Sequence, residues 1–431
     1  MARRLDSSAP GFAGAFDALL NAKREEEEDV AAAVRGIIAD VRARGDTAVL
    51  ELTNKFDRAG VKAQTLRLTQ AEIDAAEGEC AKPALDALAI AARRIEVYHR
   101  RQIPKDEWFE DSTGAKLGWR WTPLDSVGLY VPGGTAAYPS SVLMNAVPAR
   151  VAGVGRIVIV TPASGGVINP LVLAAAKRAG VSEIYRVGGA QAVAALAFGT
   201  KTISPVDKIV GPGNAYVAAA KRQVFGTVGI DLIAGPSEVL VIADSDNDPD
   251  WVASDLLAQA EHDAAAQAIL VTDSSALADA VAVAVERQLK TLPRSSTAMA
   301  SWRDFGAVIV VASLADAAGI ANRVAPEHLE LAVADPEALL PAIRNAGAVF
   351  LGRYTPEVIG DYVGGPNHVL PTARSARFSS GLSVLDFMKR TTLLKLGPEQ
   401  LRALAPSAIT LAEAEGLDAH ARSVAIRLNQ G

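Results

Sequence analysis

Short apolar segments that alternate with helix-length segments constrain the fold of this chain more than any other feature. From about Trp119 onward, each apolar run ends in Gly or Pro turn residues and is followed by an Ala-rich, helix-like stretch. Strands separated in this way are typical of βαβ units, in which neighbouring strands pair in parallel. The runs lie at residues 127–132, 156–162, 183–189, 208–214, 238–244, 268–273, 307–313, 328–333 and 348–352.

These runs form two sets, which indicates an α/β protein with two doubly wound lobes. In such lobes a ligand binds outside the carboxyl ends of the strands, where the glycine-rich turns of this chain also collect. The first hundred residues are rich in Ala, Leu, Glu and Arg and predict helices. The acidic run at residues 25–29 is expected to open one of them, because carboxylates are favoured at a helix N-terminus.

Bulk composition limits the classes of function that fit this chain. Its 431 residues, 50% of them hydrophobic, are enough for two or more domains with buried cores. A formal net charge of -6 argues against a broad surface for nucleic acid or an anionic membrane. No apolar run approaches membrane-spanning length, and residues 1–16 lack the apolar stretch of a signal peptide. We therefore expect a cytoplasmic protein with neither nucleic-acid nor membrane partners.

Cys80 and His99 are interpreted as lying outside any reactive site. Cys80 is the only cysteine, so neither an intrachain disulfide nor a metal cluster of cysteines is available. It lies in a charged, helix-like stretch away from the glycine-rich loops. His99, between Tyr98 and Arg100, is expected on the surface of a helix.

Three glycine-rich loops directly follow strands of the first set, at residues 130–134, 188–191 and 211–214. Glycine there lets the backbone approach a phosphate-bearing ligand, and the following helix N-terminus favours negative charge. No G-x-G-x-x-G motif opens a helix, so the usual dinucleotide fingerprint is missing. An ordinary turn explains any one loop equally well, but three in one lobe favour a nucleotide site.

Gln259 and His262 are three residues apart, so both side chains are expected on one face of a helix. That helix is predicted to begin at Asp248-Pro249, an N-cap acceptor followed by a residue with helical φ. A carbonyl-type oxygen and an imidazole nitrogen suit half of a divalent metal site. By itself, such a pair is more typical of a solvated helix face.

Glu327 and His328 follow Pro326, where a helical run gives way to a strand. A carboxylate and an imidazole side by side provide two proton acceptors. A capping or salt-bridging pair is the competing interpretation, and the more common one for such neighbours.

Further polar candidates lie near the C-terminus. Asp361 is in a glycine-rich loop with His368, for which hydrogen bonding within the loop is the preferred interpretation. Glu415 precedes His420 by five residues near the chain end, where a surface helix is the usual explanation.

These segments carry more information as a set than one by one. Their order and spacing resemble those of the histidinol dehydrogenases, and the resemblance covers nearly the whole chain. It rests on GLYVPGGTAAYPSSVLM, RVGGAQAVAALAFGT, IVGPGNAYV, IDLIAGPSEVL, DLLAQAEHD, APEHLEL, GDYVGGPNHVLPT and AEGLDAH.

The resemblance implies a zinc- and NAD-dependent homodimer with one zinc ion per subunit and shared active sites. Such an enzyme oxidises L-histidinol through L-histidinaldehyde to L-histidine with two NAD, the last two steps of histidine biosynthesis. The implied zinc ligands are Gln259, His262, Asp361 and His420 of the partner subunit. The implied substrate contacts are these four ligands together with Ser237, His328 and Glu415. The implied NAD contacts are Tyr130, Gln191 and Asn214.

The resemblance also implies a division of roles in catalysis. His328 is the base for the two hydride-transfer steps, Glu327 activates water, and zinc orients the substrate. The chemistry agrees with these residue types, because oxidation of an alcohol to an acid needs two hydride transfers separated by addition of water. A thioester route would need a thiol, and Cys80 is badly placed for it.

The fold implied by the resemblance is α/β, with two incomplete Rossmann-like, doubly wound lobes and small helical terminal segments in an intertwined homodimer. The first lobe, residues 26–128 and 237–381, carries the zinc ligands and catalytic pair, and the second, residues 129–236, binds NAD. The remaining parts are a small helical dimerisation segment at 1–25 and 382–407 and a tail at 408–431 that reaches the partner's active site.

Two other functions compete with this one. A related zinc- and NAD-dependent dehydrogenase would act on another small alcohol, but Glu415 favours histidinol because it can pair with an amine. A zinc-binding subunit or scaffold without turnover is the other alternative, and the intact Glu327-His328 pair argues against it.

Overall fold

The computed structural model of the protein describes residues 2–22, 28–133, 138–233 and 235–428. The chain divides into a larger unit, Met1–Gln102 with Asp125–Phe387, and a smaller unit, Ile103–Leu124 with Met388–Gly431. Helix α2 begins at Glu28 among the described residues, whereas residues 25–27 of the expected acidic helix start lie outside them. Gly134 of the first glycine-rich loop also lies outside them.

The strands of the described residues are numbered in chain order. They are β1 (Arg3–Asp6), β2 (Glu107–Glu110), β3 (Lys116–Pro123), β4 (Ser126–Tyr130), β5 (Arg156–Thr161), β6 (Glu183–Arg186), β7 (Lys208–Val210), β8 (Gly229–Ile230), β9 (Glu238–Ala243), β10 (Gln267–Thr272), β11 (Ala307–Val310), β12 (His328–Ala332), β13 (Ala348–Leu351) and β14 (Met388–Lys395).

The helices are numbered in the same way. The α-helices are α1 (Phe12–Leu20), α2 (Glu28–Arg44), α3 (Asp46–Asp57), α4 (Ala63–Leu66), α5 (Gln70–Ala75), α6 (Lys82–Arg100), α7 (Pro139–Ala152), α8 (Pro170–Arg178), α9 (Gly189–Phe198), α10 (Ala215–Val224), α11 (Pro249–Ala260), α12 (Ser275–Gln288), α13 (Ser295–Asp304), α14 (Leu314–Val324), α15 (Pro336–Leu339), α16 (Glu357–Tyr362), α17 (Pro398–Ala414) and α18 (Asp418–Leu428). Short 3-10 helices lie at Ala76–Glu79, Ser164–Gly166, Leu340–Ala342, Ser375–Arg377 and Val384–Phe387.

The larger unit contains two wholly parallel sheets, as the alternation of strands and helices predicts. One has five strands in the order β6-β5-β4-β7-β8, and the other has six in the order β1-β11-β10-β9-β12-β13. All nine apolar runs identified in the sequence form strands of these two sheets, so the prediction of an α/β fold with parallel sheets is confirmed.

Both faces of the six-stranded sheet are buried, which explains its continuous apolar strands. Along β9, Val239 and Val241 join a core with helices α11, α12 and α13. The alternating residues Leu240 and Ile242 join a separate core with α1 and α14. Side chains of the five-stranded sheet form one core with helices α2, α3, α9 and α10.

Two strands lie where helical segments were expected. Arg3–Asp6 forms the edge strand β1, paired in parallel with β11, within the segment 1–25. Its four residues are mostly charged and only one neighbour pairs with them, so no apolar pattern marks it. The expectation of helix across 382–407 is likewise wrong for β14.

The smaller unit is built on a three-stranded antiparallel sheet in the order β14-β3-β2. Met388 pairs with Pro123 and Lys395 with Lys116, so β14 pairs along its full length with the Trp-containing strand β3. Most β14 side chains are exposed, which is why its sequence lacks a clear strand signal. Helices α17 and α18 pack against each other. No helix in the described parts of either unit has the length and apolarity to cross a membrane.

A buried ion pair fixes the loop that follows β7. The side chains of Lys221 and Asp231 are only 2% and 1% exposed and form a salt bridge. Lys221 Nζ donates to the Gly211 carbonyl oxygen over 3.0 Å, and the Gly211 N–H donates to Asp231 Oδ2 over 2.8 Å. Gly211 has φ +110°, and an added Cβ would lie 2.2 Å from the Tyr130 carbonyl oxygen. Both backbone polar groups of this glycine are therefore held beside the end of β4.

We predict that Lys221→Met lowers the free energy of unfolding by about 3 to 5 kcal/mol, because it leaves the Asp231 charge buried without its partner. Urea denaturation measures the effect. The matched control is Lys221→Met with Asp231→Asn, which removes both charges and keeps an acceptor for the Gly211 N–H. The double variant should be more stable than the single one; equal losses in the two would contradict the prediction.

Candidate active site

A cleft of about 1620 Å³ lies within the larger unit and is lined by residues from both parallel sheets. Nine of the residues singled out in the sequence line it: Tyr130, Gln191, Asn214, Ser237, His262, Glu327, His328, Asp361 and His368. The fold thus gathers positions that are more than two hundred residues apart in the chain into one cleft.

The two sheets present opposite ends to the cleft. On the five-stranded sheet, Tyr130 ends β4 and Asn214 follows β7, so carboxyl ends face the cleft as predicted. On the six-stranded sheet, Ser237 precedes β9 and His328 begins β12, so amino ends face it instead. The cleft therefore lies at the carboxyl ends of one sheet, where a ligand was expected, and at the amino ends of the other. The helix-to-strand turns, not the strand-to-helix turns, carry the polar groups of the second sheet.

The expected NAD contacts lie on well-anchored loops. The Gly189 N–H donates to the Tyr130 hydroxyl over 3.0 Å, and Gly189 has φ +65°, a conformation that favours glycine. Asn214 caps helix α10 by accepting from the Val217 N–H over 3.2 Å. Gln191 is buried, and its Nε2 has no hydrogen-bond partner among the described residues. An amide donor without a partner, Nε2 of Gln191, is therefore available at one wall of the cleft.

Gln259 lies near the C-terminal end of α11 and is fully buried. Neither Oε1 nor Nε2 of its side chain has a hydrogen-bond partner in the described structure. A buried amide without partners is costly, and native structures rarely leave one unpaired. This side chain is therefore suited to hold a group that the protein atoms do not supply.

His262 lies in the turn just after α11, not on the helix as its spacing predicted. The predicted start of that helix is confirmed, because Asp248 caps it by accepting from the Asp250 N–H. The His262 N–H donates to the Gln259 carbonyl oxygen over 3.2 Å, so a tight turn keeps the two residues together.

The Glu327-His328 pair is buried at the start of β12, with 6% and 4% exposure. Glu327 Oε2 accepts from the Glu238 N–H over 3.0 Å, and His328 Nδ1 lies 3.1 Å from the Glu238 carbonyl oxygen. Both side chains are thus anchored to the first residue of the neighbouring strand β9. Glu327 Oε2 lies 3.9 Å from His328 Nδ1, so the competing interpretation of a salt-bridging pair fits this geometry as well as the proton-acceptor interpretation does.

Asp361 lies on α16 close to two imidazoles. Its Oδ1 is 3.6 Å from His328 Nε2 and 4.0 Å from His368 Nδ1. His368 Nδ1 is also 3.0 Å from the Asp361 carbonyl oxygen, which is the hydrogen bond within the loop that was preferred for this histidine. Its Nε2 lies 3.4 Å from the Ser141 hydroxyl, so His368 ties the Asp361 segment to helix α7.

Glu415 and His420 belong to the smaller unit. Glu415 caps the end of α17, His420 lies in the first turn of α18, and both side chains are exposed. Within the described part of one chain, no group of three or more His, Cys, Asp or Glu side chains is arranged to hold a metal. The expected ligand set does not require one, since it contains a glutamine and a residue of the partner subunit.

The family model for histidinol dehydrogenase matches residues 20–428 of the chain. Curated histidinol dehydrogenases from Rhizobium meliloti and Agrobacterium fabrum are 70% and 69% identical to the chain, and each alignment spans 100% of this chain and 99% of the relative.

The chain belongs to the histidinol dehydrogenase family.

A crystal structure of histidinol dehydrogenase from Elizabethkingia anophelis has the same fold, with a TM-score of 0.95 and 38% identity over 99% of this chain and 98% of that one. The family resemblance seen in the sequence is thus confirmed, and the protein is an NAD-dependent oxidoreductase.

Buried charge gives the acid–base groups of this histidinol dehydrogenase family member unusual pKa values. Burial raises the pKa of Glu327 to about 7, although the charge of His328 opposes the rise. Burial alone would lower the pKa of His328, but the carboxylates of Glu357, Glu327 and Asp361 outweigh it and raise that pKa well above the usual value. Burial would raise the pKa of Asp361, yet His328 and the other imidazoles hold it below its usual value.

His99 is buried, which overturns its interpretation as a helix-surface residue. Its Nδ1 lies 2.7 Å from Gln102 Oε1, and its Nε2 lies 3.4 Å from the Asn367 side chain. It therefore links helix α6 to the segment that carries His368. Ile95, four residues earlier, is also buried. Because residues four apart share one face of a helix, the apolar periodicity of α6 was a signal that His99 is buried.

Sequence reasoning missed two further buried carboxyls beside the site, Glu330 and Glu357. Glu330 Oε1 accepts from the Glu357 N–H over 2.7 Å. Burial and the nearby charge of Asp255 raise the pKa of Glu330 well above its usual value, and burial raises the pKa of Asp255 to about 6. Inside a strand and a helix, these residues carry no local motif.

We predict that Glu330→Gln changes the pH dependence of stability. A carboxyl whose pKa is raised by folding stabilises the protein below its unfolded pKa, and this contribution is lost as the pH rises through the folded pKa. The amide cannot ionise and still accepts from the Glu357 N–H. The difference in free energy of unfolding between the variant and wild type should therefore grow in favour of the variant from pH 5 to pH 8. The increase is about 1.4 kcal/mol for each unit by which folding raises the pKa of Glu330.

Urea denaturation at the two pH values measures this gain. Glu337→Gln, at an exposed position on α15, is the control and should show no such change. A parallel pH dependence for Glu330→Gln and wild type would rule out Glu330 as a group with a raised pKa.

Proposed function

We propose that this protein oxidises L-histidinol through L-histidinaldehyde to L-histidine, using two NAD and a zinc ion, as the last two steps of histidine biosynthesis. One observation carries the proposal: a single cleft combines the loops expected to bind NAD with the buried Glu327-His328 pair. The names of the relatives agree with it.

The residues present fit a zinc ion. Gln259 offers a buried amide oxygen without a partner, and burial lowers the pKa of His262, which favours the neutral imidazole that binds metals. Asp361 has a lowered pKa and supplies a carboxylate that also acts electrostatically on His262. With His420 of the partner subunit, the donor set would be two nitrogens and two oxygens. Zinc would hold the imidazole and amine of histidinol and so orient the substrate.

His328 is the base that takes the substrate's hydroxyl proton as hydride passes to the nicotinamide. Glu327 takes a proton from the water that adds to the aldehyde, which gives a gem-diol. His328 then takes a proton from the gem-diol in the second hydride transfer. A pKa of about 7 suits Glu327 to this task, because a general base works best near the ambient pH.

The second oxidation proceeds without a thiol. Cys80 is absent from the residues that line the cleft, and its Sγ donates to the Ala76 carbonyl oxygen over 3.3 Å. Burial raises the pKa of this thiol, which makes it a poorer nucleophile. Water activated by Glu327 is therefore the reagent that converts the aldehyde into an oxidisable form.

The functional unit is a cytoplasmic homodimer in which Glu415 and His420 of the partner subunit complete each site. Exposed apolar side chains on the smaller unit support this, since Leu394, Leu411 and Ile426 are 65%, 64% and 52% exposed. In this arrangement the two parallel sheets are incomplete Rossmann-like lobes, residues 1–25 and 382–407 form the dimerisation segment, and residues 408–431 form the tail.

The direct test supplies purified protein with zinc, NAD and histidinol and follows NADH absorbance. We expect two NADH for each histidinol consumed, with histidine as the product. Turnover of another small alcohol but not of histidinol would favour the related dehydrogenase. Zinc binding without any formation of NADH would favour the scaffold without turnover. One NADH per histidinol would contradict the proposed oxidation of the aldehyde.

We predict that Glu327→Gln keeps the alcohol-to-aldehyde step and slows aldehyde oxidation about 100-fold or more, because only the second half needs activated water. Stopped-flow NADH traces with histidinol and with histidinaldehyde separate the two halves. An equal loss in both halves would count against this division of roles.

We predict that Gln259→Met and His420→Asn each weaken zinc retention. Zinc content after dialysis against a chelator is the measurement, with Glu413→Gln, at an exposed position on α17, as the control. Metal-free Gln259→Met should be at least as stable as metal-free wild type, since it removes a buried amide without partners. Unchanged zinc content in either variant removes that residue from the ligand set.

A further inference from the structure

Glu357 is a buried carboxylate to which the proposed function gives no role. It is the first residue of α16 and is only 2% exposed. Its backbone N–H donates to Glu330 Oε1, so its position is fixed from the neighbouring strand. Its side-chain Oε2 is buried and has no hydrogen-bond partner of its own among the described residues. A buried carboxylate oxygen of this kind needs a nearby donor or positive charge.

The nearest such group is the ring of His328. Glu357 Oε2 lies 3.4 Å from His328 Nδ1, and the Glu238 carbonyl oxygen lies 3.1 Å from the same nitrogen. A carbonyl oxygen and a carboxylate can only accept, so together they favour the proton on Nδ1. The Nδ1–H group therefore lies between two acceptors, one of which is a carboxylate.

Glu327 is a weaker candidate for this contact. Its Oε2 is 3.9 Å from His328 Nδ1 and already accepts from the Glu238 N–H. Two carboxylates thus lie near one ring nitrogen, but only Glu357 has an oxygen with nothing else to bind.

The other ring nitrogen is free to act as a base. His328 Nε2 has no hydrogen-bond partner among the described residues and lies 3.6 Å from Asp361 Oδ1. In a neutral ring with the proton on Nδ1, Nε2 holds the lone pair. This is the nitrogen on the side of Asp361, where the proposed zinc would hold the substrate.

We propose that Glu357 is a positioning residue that holds His328 with its proton on Nδ1, so that Nε2 is the base that takes the substrate's proton. The proposal rests on the role of His328 in the proposed function. When Nε2 gains its proton, the positive ring favours the ionised form of Glu357, and the carboxylate in turn stabilises the ring. A carboxylate behind a catalytic imidazole fixes both tautomer and orientation in this way.

The packing around the ring supports the same assignment. The Phe350 ring lies 6.0 Å from the His328 ring, at a tilt of 35°. Phe350 in turn packs against Gly360 of α16, where an added Cβ would lie 2.5 Å from the Phe350 ring. Helix α16 therefore restrains His328 twice, through the carboxylate of Glu357 and through the ring of Phe350.

The test compares Glu357→Gln with wild type in the zinc-loaded protein. The amide keeps the size of the carboxylate but offers both a donor and an acceptor to Nδ1, so it no longer selects one tautomer. We expect kcat for histidinol oxidation to fall about 10-fold to 100-fold, with the KM for NAD within about twofold of wild type. Glu337→Gln is the matched control and should have wild-type kinetics.

A second measurement does not depend on turnover. With 15N-labelled histidine, the His328 signals are assigned by their loss in His328→Gln, and their shifts report which nitrogen carries the proton. At a pH above the pKa of His328, where the ring is neutral, wild type should show the proton on Nδ1, and Glu357→Gln a mixture of the two tautomers. A ring that stays protonated on Nδ1 in Glu357→Gln would overturn the proposal, whatever happens to kcat or to the unfolding midpoint.

The two measurements also separate this proposal from the function on which it rests. Wild-type protein that fails to oxidise histidinol, yet shows a tautomer that depends on Glu357, would contradict the proposed function and support the contact. Normal oxidation by both wild type and Glu357→Gln would contradict the role of Glu357 and leave the proposed function standing.

Discussion

The parallel pairing of β9 with β12 sets the position of the proton-transfer groups. His328 pairs with Val239, which brings Glu238 beside the Glu327-His328 junction. The backbone N–H of Glu238 then binds Glu327, and its carbonyl oxygen lies against His328 Nδ1. A shift of one residue in this register would turn both side chains to the opposite face of the sheet. Val239 and Val241 of β9 pack into one core, and Leu240 and Ile242 pack into another, so such a shift would disrupt both cores. Core packing therefore holds the proton-transfer groups in place.

This arrangement concentrates buried negative charge around one imidazole, which is energetically unfavourable. Glu327 and Glu357 have pKa values raised to about 7 and about 8, chiefly by burial, and Asp361 faces the same ring. Carboxylates in such a place are unfavourable unless a cation or a shared proton compensates them. A protonated His328 supplies part of that compensation, and a divalent cation bound by Gln259 and Asp361 would supply more. The charge pattern thus agrees with the donor set inferred from the sequence.

The sequence predicted the parallel sheets well because their apolar runs and turns are local signals. It failed where the decisive fact is a pairing partner: β1 and β14 have little apolar character and are strands because β11 and β3 pair with them. The long motifs marked Gln259, His262, Glu327 and His328 as site residues. Glu357 was missed because only the fold brings the first turn of α16 against the start of β12. His99 was misjudged because its neighbours in sequence are polar, although its helical neighbours are buried.

The opposite polarity of the two sheets at the cleft has an electrostatic consequence. On the five-stranded sheet the strands lead into the N-termini of α9 and α10, whose partial positive charge favours a phosphate-bearing cofactor. On the six-stranded sheet the site residues follow the C-terminal ends of α11 and α14, whose partial negative charge favours a cation. One cleft therefore offers a positive wall and a negative wall. An anionic dinucleotide and a metal-held, amine-bearing alcohol would each meet the wall of opposite charge, which brings the nicotinamide and the carbon to be oxidised together between them.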